Sequence, residues 1–164
     1  MVILRGTFWW RRVSQSGTVI RSGSTHNDIN PDTINDWLEV YFLNGSQTTA
    51  WYAGLIRDDN YTGLSSADTM ASHSGWEEAD TEYSDVTRPQ WSPPAPTSQI
   101  LINTSPMEFS FTVAQTIKGA FIASDNTKGG TSGTLWSTGL FDADQILPIG
   151  ETFQLKYELS AREG

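Results

Sequence analysis

Two histidines, 19 carboxylates and no cysteine bound the chemistry open to this chain of 164 residues. Neither His26 nor His73 stands in the HxH or HExxH spacing that would put two imidazoles on one metal ion. His73 lies in Ala71-Ser72-His73-Ser74-Gly75-Trp76, with a serine on either side. No Gly-x-Ser-x-Gly elbow accompanies them, because Gly129-Gly130-Thr131-Ser132-Gly133 has the wrong register. His73 is therefore expected to be a structural, hydrogen-bonding residue. Carboxylates are so numerous that any two could be cast as a glycosidase pair, so the pattern selects none. Asp58-Asp59-Asn60 offers oxygens to a calcium ion without the EF-hand pattern around them, and reads as a solvated loop. There is no P-loop and no GxGxxG. The absence of cysteine removes disulfides, thiolate metal sites and thiol chemistry. The expectation is a protein that is not an enzyme, with no catalytic residue, no metal site and no cofactor.

Tryptophan and arginine carry the stronger signal. Trp9 and Trp10 are adjacent in a strand-like segment and must point to opposite faces, so at least one needs cover from outside its own core. Arg11 and Arg12 follow directly, and the four together have the composition enriched at protein interfaces. Trp9, Trp10, Arg11 and Arg12 are thus the candidate partner-binding residues. Trp37 and Trp51 lie in burial patterns and are expected in the core. Trp76 and Trp91 fall in an irregular stretch that they are expected to pin. Exposed tryptophan rows on a β-sandwich can also stack on sugar rings, which keeps a carbohydrate-binding module as an alternative.

The elements that must position these residues are mostly strands. Residues 2–13 and Thr18-Val19-Ile20 flank the turn Ser14-Gln15-Ser16-Gly17 and read as a β-hairpin. One helix is expected: Ile34, Trp37, Leu38, Tyr41 and Phe42 recur at helical spacing, the stripe of a helix packed on one face. Asp32 is its expected N-cap, with Asn30 followed by Pro31 as the alternative, and Gly45 is expected to take the left-handed conformation that ends it. Trp51-Tyr52-Ala53-Gly54-Leu55-Ile56 is apolar throughout, as in a strand covered on both faces. Residues 57–98 are irregular, with one short helical turn expected near 67–72, four prolines and the acidic cluster Glu77, Glu78, Asp80, Glu82 and Asp85. A segment of that length points to function or to ordering by a partner. Met107, Phe109, Phe111 and Val113, and later Phe153, Leu155, Tyr157 and Leu159, alternate with polar residues in period-2 strands. The expected fold is a single mainly-β domain over 1–164: a jelly-roll-like β-sandwich with one amphipathic helix closing an open end or edge. Residues 1–21 form its basic, aromatic hairpin or arm, and 57–98 its long irregular loop.

Charge is divided along the chain. Arg5, Arg11, Arg12 and Arg21 precede the first acid, Asp28, while the net charge is −9. The acidic body should repel nucleic acid and anionic lipid, and the basic segment should favour an acidic surface, such as a neighbouring copy. No apolar run approaches the ~20 residues of a membrane span, and Met1–Arg5 is too short an apolar stretch for a signal peptide, so no membrane association and no secretion are expected. Without a secretory route, the acceptor patterns at Asn44, Asn60 and Asn103 are expected to be chance.

From the helix to the last strand, the chain resembles small virion structural proteins of tailed bacteriophages. The resemblance runs through Ile34, Leu38 and Phe42 and the segment Trp51–Ile56. It is most specific in Ala67-Asp68-Thr69-Met70-Ala71-Ser72-His73-Ser74-Gly75-Trp76, and continues in Arg88-Pro89-Gln90-Trp91, Phe109/Phe111, Ile117-Lys118-Gly119-Ala120-Phe121 and Gly133-Thr134-Leu135. It implies a non-enzymatic part of the particle: a capsid decoration or cement protein that stabilises the head shell or, alternatively, a tail or neck protein. It also implies the major capsid protein or other virion proteins as partners, a homo-oligomer in the particle, and location in a virion assembled in the host cytoplasm.

Overall fold

The computed structural model describes residues 2–163; Met1, the outer end of the expected arm, and Gly164, the end of the expected domain, lie outside the described residues. The chain begins with two long antiparallel strands, β1 (Val2–Val13) and β2 (Val19–Ile29). Gly17 at φ 83° closes the turn between them, and Ser14 N–H bonds the Thr18 carbonyl at 2.8 Å. Helix α1 (Pro31–Phe42) and β3 (Trp51–Arg57) follow. Residues 58–99 contain only the two-residue strands β4 (Glu77–Glu78) and β5 (Gln90–Trp91). Then come β6 (Ile100–Ile102), β7 (Met107–Ser110), β8 (Gln115–Ala123), β9 (Leu135–Leu147) and β10 (Thr152–Glu163).

These strands form two antiparallel sheets packed face to face. In the first, β1 lies between β2 and β10, and β10 pairs further with β6 and β7. In the second, β3 and β9 flank β8, and β4 and β5 pair with the outer edge of β3. Strand β2 belongs to both, pairing with β1 along most of its length and with β9 at Asp28 and Ile29. The fold is the expected mainly-β sandwich with one helix and an N-terminal hairpin.

The main core fills the space between the sheets. Phe8 and Trp10 of β1 and Phe153, Leu155 and Tyr157 of β10 meet Ala53 and Leu55 of β3 and Ala120 and Ile122 of β8. The alternation in β7 and β10 is realised, with Met107, Phe109, Phe153, Leu155 and Tyr157 all buried. Val113 departs from it: the strand ends at Ser110, Phe111 turns to bridge Tyr83, and Val113 is left exposed.

A second core explains the unbroken apolar run of β3. Ile56, Phe121, Ala123 and Leu135 point away from the main core and are covered by Met70 and Trp76 from the irregular segment. That segment forms a third layer, packed on the outer face of β3 and β8 through this chain's own contacts. The helical turn expected near 67–72 is absent. Instead Thr69 and Ser72 form an isolated bridge, and the Asp68 carboxylate accepts the Ser65 N–H and the Trp76 indole N–H, each at 2.9 Å.

The hairpin is not a separable arm. Twelve residues of β1 pair with β10, so removing residues 1–12 would take a strand out of the middle of a sheet.

Candidate functional site: a split aromatic hairpin and an uncovered helix

Strand alternation divides the four candidate residues two and two. Trp10 and Arg12 face inward. The Trp10 ring is 3% exposed, stacks on Phe153 at 5.9 Å and sits under Gly23, where any Cβ would collide with the indole. Its Nε1 has no hydrogen-bond partner among the described residues. The Arg12 guanidinium donates to one Glu151 oxygen at 2.7 and 3.0 Å in a largely buried pair. These two residues build the sandwich.

Trp9 and Arg11 face outward. Trp9 is 45% exposed, and its indole N–H donates to Glu158 Oε2 at 3.2 Å. Arg11 Nε donates to the Gln154 amide oxygen, and Gln154 in turn donates to Glu108. By register and alternation, Arg5, Lys156 and Arg162 share this face. Its described charged side chains are thus four bases and two acids, in a chain of net charge −9. Of the four early arginines, Arg5 and Arg11 lie on this face and Arg12 does not, and a shallow groove beside Trp9, lined by Ser22, Gly23 and Ser24, runs across it.

The helix stripe expected against the core is largely exposed. Asn30, not Asp32, caps α1: its side chain accepts the Asp32 N–H at 2.9 Å and Pro31 occupies the first helical position. At the other end Asn44, not Gly45, takes the left-handed conformation, with φ 59°. The helix is fastened through its first turn, where Asn30 N–H bonds the Trp136 carbonyl at 3.0 Å and the Thr33 hydroxyl bonds the Leu135 carbonyl at 2.8 Å. Thr33 is the helix's only buried residue. Trp37, expected in the core, is 41% exposed, and Tyr41, Phe42 and Leu43 are 68–77% exposed. The stripe exists as its spacing predicts, but after the first turn α1 stands off the sandwich and the described residues leave most of it uncovered. An open groove of about 820 Å³ separates α1 from the ends of β1 and β2, and a smaller cavity of about 240 Å³ lies between α1 and the open end of the sandwich.

The acidic cluster is mostly spent inside the third layer. Arg88, fully buried, makes two bonds to the Glu78 carboxylate at 2.7 and 2.9 Å and reaches the Asp125 and Gly130 carbonyls. Glu78 also accepts the Gly129 N–H at 2.8 Å, so neither buried charge lacks a partner. Arg57 bridges Glu77 and Glu82. The hydrogen bond from Arg57 holds the Glu77 carboxyl below its usual range, and the same bond raises the Arg57 guanidinium. The Thr127 N–H does the same for Asp125. Lys128 Nζ lies 3.8 Å from the Tyr83 ring centroid and donates to the Tyr83 and Asp85 carbonyls; burial pushes its ammonium down and the Tyr83 hydroxyl up.

His73 stacks on Trp76 with centroids 4.1 Å apart, and its Nδ1 lies 3.0 Å from the Thr69 carbonyl oxygen. It helps hold the loop, and the two flanking serines make no bond to it among the described contacts. Trp76 is buried and pins the segment as expected; Trp91 and Trp51 are half-buried against the main core. Among the described residues, no group of three or more His, Asp or Glu side chains is placed to hold a metal ion, and no helix is long and apolar enough to cross a membrane.

No protein-family model matches the chain, and a search of curated proteins finds no relative.

Proposed function

We propose that this chain is a non-enzymatic structural protein of a tailed-bacteriophage virion, and within that class a capsid decoration protein that docks on the head shell. The observation that carries the reading is the uncovered end of α1. Monomeric proteins seldom leave large contiguous apolar patches in water, and such patches mark surfaces that another protein covers. Here Trp37, Leu38, Tyr41, Phe42 and Leu43 follow one another at the end of a helix whose first turn alone is anchored. The basic face around Trp9 and Arg11 supplies a second contact of opposite charge to the rest of the body. Two modest contacts repeated around a symmetric shell hold a protein by avidity, even when each is weak. The resemblance to small virion proteins points the same way, and the major capsid protein is the partner it favours.

The test is fractionation of particles of the phage that encodes this chain into heads and tails, followed by peptide mass spectrometry. The proposal expects the chain in the head fraction in many copies. Recovery with tails or necks would move it to those structures, and absence from both would refute a virion role.

A further inference from the structure

We infer that the cavity between α1 and the open end of the sandwich binds a small methylated ammonium group. This goes beyond the virion reading and does not depend on it. Four tryptophans wall the cavity: Trp51 of β3, Trp91 of β5, Trp136 of β9 and Trp37 of α1. Trp51 and Trp91 are register partners across the β3–β5 pair, and Trp51 meets Trp136 edge to face, with centroids 5.4 Å apart and planes at 64°. Remote parts of the chain thus converge on one aromatic corner, and the helix supplies the wall facing it.

The polar chemistry of the walls selects the ligand. The indole N–H of Trp91 donates to the Tyr157 carbonyl and that of Trp136 to the Tyr157 hydroxyl, both at 2.9 Å. Both donors are spent in the core, so these two rings offer the cavity carbon surface. Indole faces carry the negative end of the ring quadrupole and attract cations. Among the described residues lining the cavity, Asp36 is the only charged one, and it is an acid. An anion would meet an aromatic face, a carboxylate and a chain of net charge −9. A bare ammonium is strongly hydrated and would find one carboxylate in exchange for its water, whereas a methylated one gives up little hydration and presents methyl groups to the rings. At about 240 Å³ the cavity is smaller than the ~300–1,000 Å³ of sites for drug-sized molecules, which suits a head group and not an extended ligand.

The full chain is titrated with tetramethylammonium chloride and with choline chloride at constant ionic strength. Binding is read by tryptophan fluorescence and by saturation-transfer NMR on the methyl protons. The inference expects saturable binding in the millimolar range, and binding at least roughly 5-fold weaker for the neutral isostere of choline in which a tert-butyl group replaces trimethylammonium. Asp36→Asn and Trp37→Ala both lie on the loosely held helix and leave the core intact, and each is expected to weaken binding by about 3- to 10-fold. Circular dichroism of each variant checks that the fold is kept. No saturation by either cation, equal binding of the neutral isostere, or unchanged binding in both variants would overturn the inference. So would preferential binding of glucose or a short glucose oligomer, which would make the cavity a sugar site.

Discussion

Arg11 and Arg12 are neighbours of the same type with opposite work. Arg12 holds Glu151 in a pair with side chains only 15% and 12% exposed, whereas Arg11 lies on the open face and touches a glutamine. Truncating one partner of a mostly buried charged bond leaves the other unsatisfied at a cost of about 1–3 kcal/mol, whereas exposed substitutions stay within ~0.5 kcal/mol. Arg12→Ala should therefore lower the urea midpoint clearly and Arg11→Ala hardly at all. Equal shifts would mean that the two side chains do not divide as described. The depressed carboxyls of Glu77 and Asp125 set a pH dependence. Their folded values lie below the unfolded ones, so their contribution is complete above the ordinary carboxylate range of roughly pH 4 and is lost as pH falls through the folded values. Stability should fall on acidification from about pH 5 downward, and Glu77→Gln should make that fall shallower. An unchanged acid limb in the variant would show that the Glu77–Arg57 contact adds nothing to it.

Helix α1 shows what periodicity can and cannot say at the scale of an element. The spacing of Ile34, Trp37, Leu38, Tyr41 and Phe42 fixes that they share a stripe, but it does not say that the same chain covers the stripe. The strands were more legible because alternation and burial coincide. Phe109, Phe153 and Leu155 have only one apolar side to turn inward, and β3 could be apolar on both faces only if something covered each. What covered its outer face was not legible. The third layer has almost no regular structure and rests on Trp76, Met70 and the buried Arg88–Glu78 pair, none of which leaves a periodic trace. Nor does the spacing of the acidic cluster show that Glu77, Glu78 and Glu82 are tied to Arg57 and Arg88. In the hairpin, alternation placed one of Trp9 and Trp10 outside but not which one; the long pairing with β10 decides it. The contrast between helix and strand is measurable. Phe109→Ala, in the core, should cost about 3–5 kcal/mol. Trp37→Ala should cost less than about 1 kcal/mol in the isolated chain, as its exposure implies. A large loss for Trp37→Ala would put α1 firmly against the sandwich and remove the uncovered face.

The whole molecule is a β-sandwich that presents two surfaces of different character: a basic strand face around Trp9 and Arg11, and an apolar helix end around Tyr41 and Phe42. Charge on the strand face should act at long range, so Arg11→Ala should weaken attachment to a partner and make it less sensitive to salt. The helix end should supply contact energy that salt does not screen, so Tyr41→Ser together with Phe42→Ser should weaken attachment at every ionic strength. Deleting β1 cannot serve as the test of attachment, because it removes the centre of a sheet. The most direct measurement is an electron-microscopy reconstruction of the particle at a resolution that shows side chains. The account predicts this sandwich on the outside of the head shell, with Tyr41, Phe42 and Leu43 buried against a neighbouring protein. A bound sandwich whose helix end stands in open solvent, or a particle without the chain, would contradict it.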